Sequence, residues 1–373
     1  MDGISMQSNL SYFTASFALT AIGLGLGGAI GYYNTHTISG AAATVFIVAV
    51  LGVLEVALSF DNAVVNATVL REMDQVWRRR FITWGIAIAV FGMRVVFPLV
   101  IVAIIAKIGP WAAVVMAATE PNEYSRVLAS AHVSLSAFGG AFLSMVGLKY
   151  FLDAEKQVHW IGWFEEQLVR LGKIEAVELA AVMLALWGVS SQLNQALQVT
   201  CLVSGMLGLV TYVGVGGISA LLERDGRKGA EATKAVARSG FAAFLYLEVV
   251  DASFSFDGVI GAFALSNNLF VISIGLGVGA MFVRSLTLLL VENGTLAEYR
   301  YLEHGAFYAI IALGVIMLLK TFMHLPEAVT GLIGAGFIGL AFLSSLRFNR
   351  ARKAHEGSAE YRVATPQRRG VAA

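Results

Sequence analysis

The sequence predicts an all-α, polytopic transmembrane helical bundle of about ten spans, built as an inverted-topology repeat with broken second and seventh helices. Three observations lead to that fold class. Of the 373 residues, 57% are hydrophobic and only 14% charged, against roughly one quarter charged in a soluble domain. Apolar stretches of ~18 residues or more recur along nearly the whole chain, and at ~1.5 Å per helical residue each can cross a ~30 Å hydrocarbon core. An acidic motif ending in Ser-Phe-Asp occurs twice, each time inside such a stretch.

Apolar runs bounded by charge or turn residues place spans near 13–33, 41–70, 81–106, 132–152, 176–191, 196–222, 241–265, 269–291, 306–323 and 327–344. The fifth is the shortest and carries Glu178 near its start, and Gly109–Ala118 reads either as connector or as a re-entrant piece. Met1–Tyr12 contains Asp2 and no Lys or Arg, so it lacks a secretory n-region and the first apolar segment is expected as a retained span. The lone Cys201 excludes an internal disulfide and a soft-metal thiolate site, which leaves it a packing role.

Orientation follows from the basic residues. One set of alternate connections holds 20 Lys and Arg, the other holds two (Lys107 and Arg126), and four of the 26 lie within spans. The positive-inside rule therefore puts both termini in the cytoplasm. Residues 153–175, with Trp160, Trp163 and Phe164 among acids and bases, read as an interfacial amphipathic helix. The expected organisation is a first half over 1–192 including that helix, a second, inverted half over 193–346, and a basic, partly disordered tail over 347–373. That tail suits anionic lipid headgroups, and nothing in the sequence suggests a nucleic-acid partner.

The repeat is specific. Leu54-Glu55-Val56-Ala57-Leu58-Ser59-Phe60-Asp61-Asn62 returns as Val250-Asp251-Ala252-Ser253-Phe254-Ser255-Phe256-Asp257-Gly258. In each half the next span carries an arginine, Arg94 or Arg284, and the span after that ends near a lysine, Lys149 or Lys320. Under the assigned orientation the two motif-bearing spans run in opposite directions, the arrangement of inverted-repeat secondary transporters.

Five acids fall within spans: Glu55, Asp61, Glu248, Asp251 and Asp257. Each ionised carboxylate costs at least ~2.5–3.5 kcal/mol there, so a cation is expected to compensate them. On an unbroken helix Glu55, Ser59, Asn62 and Asn66 share a face, matched by Asp251, Ser255 and Gly258. Asp61 and Asp257 join that face only if the helices break near Ser-Phe-Asp, which would also free backbone carbonyls. Carboxylates with amide, hydroxyl and carbonyl oxygens suit a hard divalent cation such as Mn²⁺, Ca²⁺ or Mg²⁺. The candidate metal set is therefore Asp61, Asp257, Glu55, Asp251, Asn62, Ser59, Ser255 and Glu248, although Glu248 has no acidic counterpart in the first half, where Gly52 stands. Arg94 and Arg284 fit counter-ion or structural roles, since a cation site repels them; Lys149 and Lys320 sit where lysines snorkel. The plainer alternative is that some acids only pair with these bases to hold helices together. Glycines at 23, 25, 27, 28 and 31, and at 275, 277 and 279, read as close-packing surfaces.

These motifs resemble the TerC family of integral membrane proteins. Glu55, Ser59, Asp61 and Asn62 match its first motif; Asp251, Phe254 and Asp257 match its second, with Glu248 resembling the leading acid. The resemblance covers roughly residues 45–152 and 240–345. This chain departs from the family's usual Asp-Ser-Ile-Pro-Ala, having Asp257-Gly258-Val259-Ile260-Gly261, and so resembles a divergent branch. The resemblance implies a bacterial inner-membrane location and, through related inverted-repeat exporters, manganese export with proton exchange as one means of driving it.

The expected function is a secondary transporter, not an enzyme, exporting a divalent cation (Mn²⁺ foremost) as substrate and holding no cofactor. Two alternatives stand beside it. One is a metal-regulated scaffold or stress sensor without flux. The other is an intramembrane aspartyl protease in which Asp61 and Asp257 share a proton, although the additional acids exceed what such a dyad needs.

Overall fold

The computed structural model describes residues 10–364 apart from 86, 175 and 225–231; within these, side chains are described except at 218–224, 232–239, 256–257, 327–328 and 353–364. Every regular element among the described residues is helical. Eight of those helices are long and apolar enough to cross a bilayer, which makes the chain an integral membrane helical bundle.

The first two helices, α1 (Thr14–Thr35) and α2 (Ile38–Leu58), form a hairpin. His36 makes the turn with a left-handed φ of 54°, and the Thr37 side chain caps α2 by accepting from the Gly40 N–H. Gly23, Gly27 and Gly31 are buried along one face of α1, at helical spacing. Gly27 and Gly31 press on Val48 and Thr44 of α2, whereas Gly25 faces open space and packs against nothing.

After a break at Ser59 the chain continues as α3 (Phe60–Glu72), then α4 (Gln75–Arg80), whose N–H groups at Val76 and Trp77 are capped by Asp74. Two π-helical stretches follow, Phe81–Gly85 and Ile88–Val96, leading into α5 (Phe97–Ala106). The connector is helical too: α6 (Pro110–Thr119) and α7 (Pro121–Ser130) each open on a proline, which needs no donor in a first turn. At ten residues α6 spans about 15 Å and does not cross a bilayer.

The rest of the chain comprises α8 (His132–Phe151), α9 (Gly162–Leu171), α10 (Val177–Ser190), α11 (Gln195–Arg224), α12 (Ala232–Ala262), α13 (Leu269–Glu292), α14 (Thr295–Glu298), α15 (Leu302–Lys320) and α16 (Glu327–Ala364). The fifth and seventh spans of the expectation correspond to two helices outside the eight. Helix α10 has only 14 residues, about 21 Å at the helical rise. Helix α12 is long enough, but Glu248, Asp251 and Asp257 lower its apolarity.

Two sequence expectations are corrected. The seventh span is not broken, because α12 runs continuously through Ser255-Phe256-Asp257. At the α2–α3 break Ser59 leaves helical geometry (φ −112°, ψ 15°), its hydroxyl donates to Glu55 (2.9 Å) and the Asn62 N–H turns to the Asp61 carboxylate (3.0 Å). Its counterpart in α12, Ser255, has no hydrogen-bond partner for its hydroxyl and stays within the helix. Helix α16 carries on to Ala364, through a stretch rich in the good helix formers Ala, Arg, Lys and Glu. The second correction concerns Lys320, which is buried rather than snorkelling; Lys149 is exposed and reaches Glu178 at 3.3 Å. Residues 1–9, the basic loop residues Arg227 and Lys228, and 365–373 lie outside the described residues.

In packing, α13 lies along α1, α2 and α3, while α8 lies along α11 and α15. Helix α12 stands between these groups, touching α3, α8, α11 and the second π-helical stretch. The connector after α8 folds with its polarity reversed. Trp163 and Leu171 face outward, consistent with an interfacial position. Glu165 points inward, accepting from the N–H groups of Trp160 and Ile161, from Tyr308 and from Lys156.

Candidate functional site

The polar cavity of the bundle forms where α2, α3, the π-helical stretches, α12 and α13 converge. Its volume is about 50 Å³, room for a few waters or a partly hydrated ion and too small for an organic solute. Glu55, Ser59, Asn62 and Asn66 line it from one half; Asp251 and Ser255 line it from the other. These are the residues that helical spacing puts on one face of each motif. The break at Ser59 does not disturb that face.

Asp251 accepts from two amides of α3, Asn62 Nδ2 at 2.7 Å and Asn66 Nδ2 at 2.9 Å. Glu55, from the opposite half, has its Oε2 directed at Gly258 on α12. Residue 62 follows Glu55 by the same interval that residue 258 follows Asp251. Each motif's acid therefore meets the equivalent position of the other motif.

The two acids are compensated differently. Glu55 accepts from Ser59 Oγ and forms a buried ion pair with Arg94, whose guanidinium also bonds the Ala89 carbonyl. The π-helical turns carry Arg94 into this position, and Ser273 of α13 bonds its backbone carbonyl at 2.9 Å. Asp251 has only neutral amide donors and, among the described residues, no ion pair. Arg284 also lines the cavity, with its guanidinium bonded to the Ile82 carbonyl.

The oxygens left over are informative. Asn62 Oδ1, Asn66 Oδ1 and Ser255 Oγ are buried without a hydrogen-bond partner. Buried polar atoms are rarely orphaned, and three acceptor-capable oxygens beside an uncompensated carboxylate make an electron-rich pocket wall.

Asp61 does not join this group. It is buried on the far side of α3, its carboxylate beside Gly334 of α16, roughly 240° around the helix from the Glu55 face. The side chain of Asp257 lies outside the described residues. Among the described residues no three His, Cys, Asp or Glu side chains gather as a metal cluster, so the eight-residue set does not converge: the cavity holds two carboxylates with neutral oxygens. Glu248 is buried but faces the partition between this cavity and a second one.

Sequence reasoning missed two contributors. Ser273, which anchors Arg94, carries no signal beyond its place in an apolar helix. The Glu165–Lys156–Tyr308 cluster was hidden because a lone acid in an amphipathic segment reads as solvated.

Fold and site together define a polytopic helical membrane protein with a buried, oxygen-lined cavity between its two acidic-motif segments. The chain belongs to the DUF475 family, described as proteins of unknown function, which it matches over residues 60–352. That match includes every cavity-lining polar residue named above except Glu55 and Ser59. No curated protein and no solved structure matches the chain.

Proposed function

We propose that this protein is a secondary transporter that exports a divalent metal cation, Mn²⁺ foremost, from the cytoplasm of a bacterial cell across the inner membrane, with both termini cytoplasmic. The observation that carries this reading is the uncompensated Asp251 carboxylate beside the unpartnered amide oxygens of Asn62 and Asn66. A hard divalent cation satisfies those oxygens; an anion or an apolar solute does not. The site is formed jointly by two helices from opposite repeat halves, the place where alternating access moves a substrate from one side to the other. The resemblance of the Glu55–Asn62 and Asp251–Asp257 motifs to the TerC family, with its manganese-exporting relations, points the same way.

In this reading Asp251, Asn62, Asn66 and Ser255 contribute ligands, and Glu55 with Arg94 is a gatelike pair bordering them. Arrival of a dication between Asp251 and Glu55 weakens the hold of Arg94 by direct competition for the Glu55 carboxylate.

The deciding experiment is Mn²⁺ flux into proteoliposomes, native chain against Asp251→Asn, together with Mn²⁺ binding to both in detergent. Flux and binding lost in Asp251→Asn support the proposal. Binding without flux in the native protein favours a metal-regulated sensor or scaffold instead, and absence of both sinks the cation reading.

A further inference from the structure

Glu248 is 8% exposed, and both of its carboxylate oxygens lack a hydrogen-bond partner. Among the other buried acids, Glu55 has Arg94, Asp251 has two amides and Asp61 has the Asn62 N–H. A bare carboxylate in a membrane interior is expensive; the same group carrying a proton is not.

Its position is equally particular. Alternate faces of α12 look into different spaces: Asp251, Phe254 and Ser255 line the central cavity, while Glu248, Val249, Ala252 and Ser253 line a lateral cavity of about 250 Å³. Met93 borders both. Glu248 Oε1 also lies against Gly85, itself on the wall of the central cavity, 3.3 Å from where a Cβ would stand. Glu248 therefore sits at the partition, in reach of either side.

The repeat sets Glu248 opposite a glycine. Glu248 precedes Asp251 by the interval that separates Gly52 from Glu55. Gly52 packs on Gly275 and Val278 of α13, and Glu248 packs on Gly85 of the first π-helical stretch. A glycine contact beside one motif is thus replaced by an acid beside the other.

We propose that Glu248 is the proton-binding site of this transporter, taking up and releasing a proton between the lateral and central cavities while the cation occupies the Asp251 side. This rests on the cation-transport reading and assigns its counter-ion: a proton bound at a Glu248 carboxylate oxygen leaves as the cation enters, so the membrane interior gains one positive charge per dication instead of two. The elements around Glu248 present Met93, Phe97, Leu135, Phe138 and Thr211, none of which titrates in the physiological range. The nearby charged groups are Asp251 on its own helix, Arg94, which is engaged with Glu55, and Arg284, which is engaged with the Ile82 carbonyl.

The test is a comparison of the native protein with Glu248→Gln, which preserves shape and removes the titration. Infrared spectroscopy in ¹H₂O and ²H₂O reads the carbonyl stretch of protonated carboxylic acids; a band present in the native protein and missing in Glu248→Gln is expected. In proteoliposomes, Glu248→Gln should retain Mn²⁺-for-Mn²⁺ exchange within about twofold while net Mn²⁺ flux driven by a pH gradient falls at least about tenfold. An unchanged carboxylic-acid band, or pH-driven flux equal to native, overturns the assignment. If the native protein shows the band but no Mn²⁺ flux or exchange at all, the transport reading has failed while the proton on Glu248 stands. A size-exclusion profile and a melting temperature equal to native establish that Glu248→Gln is folded; should it not fold, Glu248→Asp, which keeps the titration, serves as the second variant and must retain pH-driven flux.

Discussion

Asn62 and Asp251 meet at 2.7 Å between the two acidic-motif segments, 189 residues apart in the chain. The amide donates through Nδ2, so its own oxygen is left buried and unpartnered. One side chain both holds the acid of the other half and contributes an acceptor to the cavity.

From that arrangement, Asp251→Asn should weaken Mn²⁺ binding by at least about tenfold, or ~1.4 kcal/mol, because the cavity loses its uncompensated charge. Asp61→Asn should leave the affinity within about twofold, since Asp61 faces Gly334 rather than the cavity. Isothermal titration with Mn²⁺ in detergent separates the two; equal losses in both would show that Asp61 reaches the ion.

Breaking the Glu55–Arg94 pair leaves a buried charge unmatched. Arg94→Gln is expected to destabilise the protein by about 3–5 kcal/mol, seen as a lower Tm by scanning fluorimetry in detergent. Adding Glu55→Gln should recover most of the loss, as in any cycle where the penalty comes from the stranded partner. A double variant no more stable than Arg94→Gln alone would place the cost elsewhere.

Close packing at Gly279 sets where Glu55 sits, because a Cβ there would meet the Glu55 Cβ and the Gly52 carbonyl. Gly279→Val should therefore push α13 away from α2, at about 1–3 kcal/mol of stability, and reduce Mn²⁺ affinity along with it. Gly25→Val, at a position facing open space, should change neither. Paired thermal and binding measurements on the two variants check this.

A pH effect is expected outside the membrane spans, at Glu165. Burial opposes its ionisation, but the Ile161 N–H and Lys156 outweigh it, so its carboxyl sits below the ordinary value of 4.5. A depressed folded-state acid contributes stability that is fully present above the unfolded value and is lost as pH falls through the folded one. Native protein should thus lose thermal stability more steeply than Glu165→Gln below about pH 4.5, while the two run parallel near neutrality. Parallel profiles throughout acid pH would remove Glu165 from the account.

How much of this was legible in the sequence can be traced residue by residue. Composition and apolar run length determined that the chain is a membrane helical bundle, because no water-soluble core can hide so much apolar surface. Helical periodicity alone placed Glu55, Ser59, Asn62 and Asn66 on one face and Asp251 with Ser255 on another, since rotation per residue is a local property. Tertiary structure decided the rest. That Asp251 pairs with Asn62, that Arg94 answers Glu55 and that Asp61 turns toward α16 depend on which helices are neighbours, and packing between distant segments leaves no local trace. The break at Ser59 and the continuity of α12 were equally hidden, for near-identical Ser-Phe-Asp motifs gave opposite outcomes: the Ser59 hydroxyl bonds Glu55 at a break, whereas its counterpart Ser255 stays within an unbroken helix.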